Sequence, residues 1–292
     1  MRILITGKHG QVGHELTRSM SCLGDIIATD SKTLDLSKTE ELAEKVEQLA
    51  PDLIVNAAAY TAVDKAETEQ ELAYKVNALA PQILAEVAKK CDIPLIHYST
   101  DYVFNGSGDK AWTEDAETQP LNVYGRTKLA GELAISNATD KYLIFRTSWV
   151  YGARGANFLN TMKRLAIDKV QLSIVHDQVG TPTWARHIAD VTAQVISQSH
   201  QQTDFWQNHS GVYHLSGAGR ASWFDFAQQI FNLMAAQGHS VPKLHPISTR
   251  DYPTPANRPA NSLLDNTKLK QHFDLALPDW QTTLEWVMSG EE

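Results

Sequence analysis

The stretch 2-RILITGKHGQVG-13 decides the fold. Its opening apolar run, Arg2–Thr6, is short and rich in Ile and Leu, the pattern of a strand buried on both faces. Glycines at 7, 10 and 13 follow, and a helical pattern resumes immediately after them. A strand that empties into glycines and then a helix lets backbone approach a phosphate, which the unpaired N–H groups and dipole of the helix N-terminus favour. The spacing is G-x-x-G-x-x-G, a variant of the G-x-G-x-x-G dinucleotide fingerprint, and its place between first strand and first helix is the context that fingerprint requires.

Working outward, 25-DIIAT-29, 52-DLIVNAAA-59, 94-PLIHYST-100 and 142-YLIFRTSWV-150 read as further buried strands. Between them, 38-KTEELAEKVEQLA-50 and 71-ELAYKVNALAPQILAEVAKK-90 have helical periodicity, with Pro81 expected to divide the second into two helices. Strand–helix alternation gives the α/β class: a Rossmann-type doubly wound parallel sheet with a smaller C-terminal substrate-binding domain. Residues 1–150 form the dinucleotide-binding domain, joined by part of 185–216, and 151–292 form mainly the cap. In the cap, 157–168, 185–199 and 222–237 are expected helices, Ser222 capping the last, and 212–216 is an expected strand. The proline-rich passage 241-VPKLHPISTRDYPTPANRP-259 is expected to lack regular structure.

Composition narrows the functional classes. Of 292 residues 42% are hydrophobic and 21% charged, and a net charge of −8 with no basic stripe argues against a nucleic-acid binder. Cys22 and Cys91 lack CxxC spacing, which disfavours a disulfide framework or a structural zinc. His9, His14 and His97 lack metal-ligand spacing. Met1 runs straight into 3-ILI-5 without the flanks of a signal peptide, and no apolar run has the length of a membrane span. The expectation is a cytoplasmic protein with no membrane or nucleic-acid partner.

Asp30 ends the second strand, where a carboxylate can bind the adenosine ribose hydroxyls of NADH; Lys8, in the glycine loop, can instead offset the 2′-phosphate of NADPH. Both coenzymes stay open. Asp35, Leu36 and 57-AAA-59 fall where residues flank adenine and ribose.

Tyr124 and Lys128 in 121-LNVYGRTKLAGE-132 stand one helical turn apart and share a face. Ser99, Thr100 and Asp101 end the fourth strand, at the carboxyl edge where open α/β sheets bind ligands. A hydroxyl, a phenol and an ammonium there form a proton-transfer set for carbonyl chemistry. A phenol near ~10 is poorly matched to neutral pH. An ammonium ~4 Å away, at an effective dielectric of ~20, would favour the phenolate by up to ~4 kcal/mol. Arg258, with its planar guanidinium, is a candidate for a diphosphate. Trp149 is a candidate for sugar contact, Arg146 a structural ion-pair member, and Asn77 a structural hydrogen-bonding residue.

The glycine loop, STDYVF and YGRTK together resemble the extended short-chain dehydrogenase/reductase superfamily. NAAAYTAVDKAE (56–67), HYSTDYVFNG (97–106), PLNVYGRTKLAGE (120–132), FRTSWVYG (145–152), DQVGTPT (177–183) and RPANSLLD (258–265) narrow the resemblance to the dTDP-4-dehydrorhamnose reductase family, over essentially the whole chain. That resemblance implies NAD(P)H-dependent reduction of the 4-keto group of a nucleotide sugar, serving a bacterial envelope glycan. It implies Thr100, Tyr124 and Lys128 as the catalytic set. It implies cofactor contacts at Gly10, Gln11, Val12, Asp30, Asp35, Leu36, Ala59, Tyr60, Thr61 and Tyr98, with Gly7, Gly13, Tyr124 and Lys128 completing that site. Asp101 and Trp149 match substrate contacts. Some relatives carry Mg²⁺ at a homodimer interface through acidic residues, but 184-WARHIAD-190 offers Arg186 and His187 there, so the ion has no place to be assigned.

Related 4,6-dehydratases resemble this scaffold with Thr-Asp-Glu at the strand end; Thr100-Asp101-Tyr102 lacks the glutamate and points to simple reduction. An epimerase is excluded less firmly. The regulatory β subunit of methionine adenosyltransferase also resembles these reductases, as a nucleotide-binding partner protein, and the full set Thr100, Tyr124 and Lys128 favours an enzyme over that alternative.

Overall fold

In the computed structural model, which describes residues 1–290, six parallel strands form one sheet in the order β10-β5-β4-β3-β1-β2. These are β1 (Arg2–Thr6), β2 (Asp25–Ala28), β3 (Leu53–Asn56), β4 (Leu95–Thr100), β5 (Tyr142–Thr147) and, from much later in the chain, β10 (Gly211–His214). The central strands are buried from end to end because helices cover both faces. On one face α1 (Gln11–Ser19) and α8 (Ala185–Ser199) supply Leu16, Ile188 and Val195 to the core. On the other α2 (Thr39–Leu49), α5 (Ala80–Lys90) and α6 (Val123–Ala138) supply Leu42, Leu84 and Ile135. No helix among the described residues is long and apolar enough to cross a membrane.

The strand order reverses between β1 and β3, and a crevice opens at the carboxyl ends of the strands around that point. The run expected as a strand over 52–59 leaves the sheet after Asn56, because its alanines turn aside to line that crevice. The run expected over 142–150 breaks after Thr147. Trp149 there takes a left-handed backbone (φ +48°), which redirects the chain into a short strand, β6 (Val150–Tyr151), paired with β9 (Thr183–Trp184).

Pro81 does not divide two helices. After α3 (Val63–Ala66) and α4 (Gln70–Tyr74) the chain widens into a π turn over Lys75–Leu79 and continues directly into α5. Pro81 has no N–H to bond four residues back and its ring crowds that carbonyl; opening the preceding turn accommodates both. The π turn holds Asn77, whose Oδ1 accepts from Tyr60 N (2.8 Å) and whose Nδ2 donates to Tyr60 O (3.0 Å) and Thr127 Oγ1 (3.2 Å). Asn77 thus clamps the loop after β3, the structural role read from sequence. Gly131 of α6 makes this possible, since a Cβ there would sit 2.2 Å from Asn77 O. Gly131→Ala is expected to cost about 1–3 kcal/mol of stability in urea unfolding and, by moving the clamp, to weaken coenzyme binding.

The remaining chain builds a second core around α7 (Phe158–Asp168), α10 (Trp223–Ala236) and α12 (Trp280–Ser289), with Phe226, Phe231 and Trp280 buried together. Ser222 caps α10 through a reciprocal pair with Asp225, as its sequence suggests. Two further helices, α9 (Phe205–His209) and α11 (Thr267–Phe273), pack Phe205, Leu269 and Phe273 against the first core. The proline-rich passage is more ordered than its composition suggests: β12 (Lys243–Ile247) pairs in parallel with β7 (Gln171–Val175). β7 and β12 form a two-stranded sheet, so each is an edge, and an edge strand tolerates Pro246. Antiparallel pairing of β8 (Val179–Gly180) with β11 (Ala221–Ser222) completes the strands.

Candidate active site

The glycine loop closes on itself as Gly10 N donates to Gly7 O at 2.9 Å, and α1 starts at once. Gly13 lets the first helical turn sit against that loop: a Cβ there would lie 2.1 Å from Gly7 O. No side chain caps α1, so its first N–H groups are left for a ligand. A cleft of about 530 Å³ runs from this point across the strand ends, a size typical of small-molecule sites. Gly7, Gly10, Gln11, Val12, Asp30, Ala59, Thr61, Tyr98, Tyr124 and Lys128 all line it.

Other residues proposed from sequence, Thr100 and Asp101 among them, are not part of its lining. Gly13 supports the loop from behind. Tyr60 holds Glu69 through its hydroxyl (2.7 Å) and is fixed at its backbone by Asn77. Leu36 is buried in the core beneath β2, and Asp35 turns its carboxylate to Ser37, whose hydroxyl (2.7 Å) and N–H (2.9 Å) both donate to it. Arg258 donates to Asp64 at 2.8 Å, and the other Asp64 oxygen accepts from Ala256 N, so this pair pins the loop after β12 to α3. Trp149 stacks face to face on Trp223, with centroids 3.6 Å apart and planes at 9°.

Asp30 is heavily engaged. One carboxylate oxygen faces Lys8 (3.2 Å) and His9 (3.1 Å), and the other accepts from the backbone N–H of Lys32 and Thr33. The Lys8 ammonium, followed by these hydrogen bonds, holds the carboxyl well below its usual range. The two coenzyme cues that conflict in the sequence therefore meet as an ion pair.

At the catalytic end the expected lysine–tyrosine effect is not what the geometry delivers. Burial dominates Tyr124 and pushes its phenol up to about 12, against a lowering by hydrogen bonding to Thr100. The Lys128 ammonium is engaged elsewhere: Nζ donates to Tyr98 O at 2.6 Å and lies 3.0 Å from His97 Nε2. Burial brings Lys128 down to about 8, with Glu132 acting the other way. Tyr102, which replaces the dehydratase glutamate and has no site role assigned from sequence, packs edge-on against Tyr124 at 5.6 Å. Ser99, placed at the ligand-binding strand end by the sequence, also lines the cleft, as do Thr147, Val150, Gly155 and Ala156, to which the sequence assigns no site role.

Asp101 is 3% exposed, accepts from Thr100 Oγ1 at 3.0 Å, and leaves Oδ2 without a partner. Burial raises it to about 6, with the Ser262 and Thr100 hydroxyls acting the other way. A carboxyl raised in the fold binds its proton more tightly there than in the unfolded chain. Its ionisation therefore takes away stability as pH rises between the two values, and that loss is complete by about pH 7. Asp101→Asn is expected to gain about 1–3 kcal/mol at about pH 7 and to lose the advantage below about pH 4, read by urea unfolding at both.

Among the described residues no three His, Cys, Asp or Glu side chains converge to hold a metal ion. No chemical step is assigned to Mg²⁺.

A family model described as the RmlD substrate binding domain matches residues 1–291. A dTDP-4-dehydrorhamnose reductase of Escherichia coli (strain K12) is 46% identical, covering 99% of this chain and 97% of the relative. Among solved structures, a dTDP-4-dehydrorhamnose reductase from Clostridium acetobutylicum aligns with a TM-score of 0.91 at 37% identity, covering 100% of this chain and 99% of that one. One from Bacillus anthracis, in complex with NADP, gives 0.89 at 34% identity, with 99% of each covered.

Proposed function

The chain belongs to the RmlD substrate-binding-domain family, and from that membership we propose that it reduces the 4-keto group of dTDP-4-dehydro-L-rhamnose to give dTDP-L-rhamnose, with NADPH or NADH as coenzyme. It is an oxidoreductase. What the reduced nicotinamide supplies when bound is the hydride. The chain's own groups do the rest. As the ketone oxygen gains charge, the Tyr124 phenol donates its proton to it. Burial keeps that phenol protonated, and an alkoxide is a stronger base than a phenolate, so the transfer runs downhill. The Thr100 hydroxyl, a partner of the same phenol, orients the substrate oxygen. Lys128, held by Tyr98 O and lining the same cleft, supplies positive charge to the site when the phenolate remains, and Asp101, Trp149 and Arg258 are assigned to the sugar and its diphosphate.

The observation that carries this reading is the convergence of Tyr124 and Lys128 on the cleft that the glycine loop and Asp30 also line. The Lys8–Asp30 pair supports use of both coenzymes, because a carboxylate neutralised by a neighbour repels a 2′-phosphate less than a bare one. The test is nicotinamide absorbance decay with purified protein and enzymatically generated dTDP-4-dehydro-L-rhamnose, run separately with NADH and NADPH. Turnover supports the reading; coenzyme binding without turnover in either case sinks it and favours a non-catalytic nucleotide binder.

A further inference from the structure

Behind Lys128 runs a buried hydrogen-bond chain that the reaction above does not use. Lys128 Nζ lies 3.0 Å from His97 Nε2, and His97 Nδ1 lies 3.0 Å from the Asn56 side-chain amide. The same amide accepts from Thr6 Oγ1 at 2.6 Å, and Thr6 Oγ1 accepts from Ala58 N at 3.0 Å. All four side chains are essentially sealed from solvent: Thr6, Asn56, His97 and Lys128 are each 1% exposed. Lys128 is the one member that reaches the cleft. The chain is thus closed at the Thr6 end and open only through Lys128.

A closed chain can be counted donor by donor. Thr6 accepts from Ala58 N–H and gives its own proton to the Asn56 carbonyl, so the Asn56 NH₂ faces His97 Nδ1. His97 Nδ1 must then accept, its ring proton must sit on Nε2, and the group opposite Nε2 must offer a lone pair. That group is Lys128 as the free amine. With Lys128 as the ammonium every direction reverses: Nε2 accepts, Nδ1 carries the proton, the Asn56 amide turns over, and the Thr6 proton loses its acceptor in the chain. Amide orientation and ring tautomer are set by such inventories.

We infer that His97 is a positioning residue whose tautomer is locked to the charge of Lys128, with the proton on Nδ1 when Lys128 is an ammonium and on Nε2 when it is an amine. Across the transition one proton leaves Lys128 through the cleft to water, and His97 keeps one proton throughout. The exchange between its two nitrogens runs through brief local opening of the site. The coupling explains how a fold can hold this lysine ready to lose its charge: with the amine every contact along the chain joins a donor to an acceptor, and with the ammonium the Thr6 proton has no acceptor in it.

The other ionisable groups packed against this pair do not replace it. Glu132, on α6 beside Lys128, favours its ammonium but is bound to Arg146 of β5. Tyr98 is turned away, its hydroxyl 2.8 Å from Thr192 Oγ1. Tyr124 and Asp101 lie on the substrate side, engaged with Thr100. Burial, and then the neighbouring Lys128 charge, hold His97 well below the usual histidine range, which agrees with a ring that changes tautomer without charging.

The assignment of Lys128 to catalysis rests on the proposed reductase reading, but the coupling is tested without substrate. Full-length protein labelled with ¹⁵N-histidine would be followed by two-bond ¹H–¹⁵N correlation from about pH 6 to about pH 10, a range that brackets the shifted lysine. The His97 signal is the one lost in His97→Asn. The expected result is a ring neutral at every pH whose proton moves from Nδ1 to Nε2 as pH rises. A single tautomer over the whole range, or an imidazolium at its acid end, overturns the inference. Should His97→Asn not fold, Asn56→Asp provides the second test. A carboxylate can only accept, so it holds the proton on Nδ1 at every pH, and a ring that still reaches the Nε2 form in that variant also overturns the coupling. Absence of turnover in the wild type would sink the reductase reading and leave this result standing.

Discussion

Tyr124→Phe is expected to lower kcat by about 10²–10⁴-fold while coenzyme affinity stays within a few-fold of wild type. The substitution removes one oxygen from a phenol that is half-buried at the cleft, held against Thr100, and packed edge-on to Tyr102, so the ring and its neighbours keep their places. Only the proton is lost. Single-turnover absorbance decay separates the chemical step from binding, and coenzyme fluorescence titration measures the latter. Retention of more than about a tenth of wild-type kcat, well above the general-acid range, would show that Tyr124 is not the acid. Asp101 would then be next in line, since burial raises it to about 6 and its Oδ2 has no partner.

Glu132→Leu is expected to be the most destabilising of the changes considered, at about 3–5 kcal/mol. Arg146 lies in β5 with its side chain 5% exposed, and among the described residues Glu132 on α6 is its only counterion. Nε donates to both carboxylate oxygens (3.0 and 3.1 Å) and Nη2 donates at 2.6 Å, while the guanidinium rests over the Phe104 ring. Taking away the carboxylate strands a charge that water cannot reach. The double variant Glu132→Leu/Arg146→Met should recover most of the loss, because an apolar pair of similar volume has no such charge to desolvate. Chemical denaturation of the three proteins measures this. A single variant within about 1 kcal/mol of wild type would mean the arginine finds solvent after all.

The parts of this molecule legible in its sequence are those whose cause is local. Apolar runs flanked by helical periodicity announce β1 to β5, and the order of glycines after β1 announces the phosphate end of the cleft. Tyr124 and Lys128 are legible because four residues make one turn, so their shared face needs no knowledge of the rest. What the sequence hides depends on the third dimension. Pro81 ordinarily ends a helix, and only the room for a π turn beside Gly131 lets the helix run on. Pro246 argues against a strand until its position on an edge is known. His97 and Asn56 look like ordinary strand residues, and they become part of the site only because β3 and β4 lie side by side with His97 opposite Asn56. The charge relation between Lys128 and Tyr124 is visible as a spacing, but its direction is set by burial, which spacing cannot reveal.

The late arrival of β10 has consequences for how this protein is made. Until residues 211–214 have left the ribosome, the outer edge of β5 has no partner, and it presents a row of open hydrogen-bonding groups beside Leu143 and Phe145. A nascent chain stopped near residue 150 therefore carries most of the coenzyme cleft, lacking Gly155 and Ala156, but an unfinished sheet, together with apolar surface that α8 would otherwise cover. Such a fragment invites pairing with other nascent chains and draws on chaperones during synthesis. The nucleotide-binding half cannot be excised as a free-standing module by cutting where the strand–helix alternation ends. A shortened version meant to keep coenzyme binding has to run through His214 or supply a substitute strand.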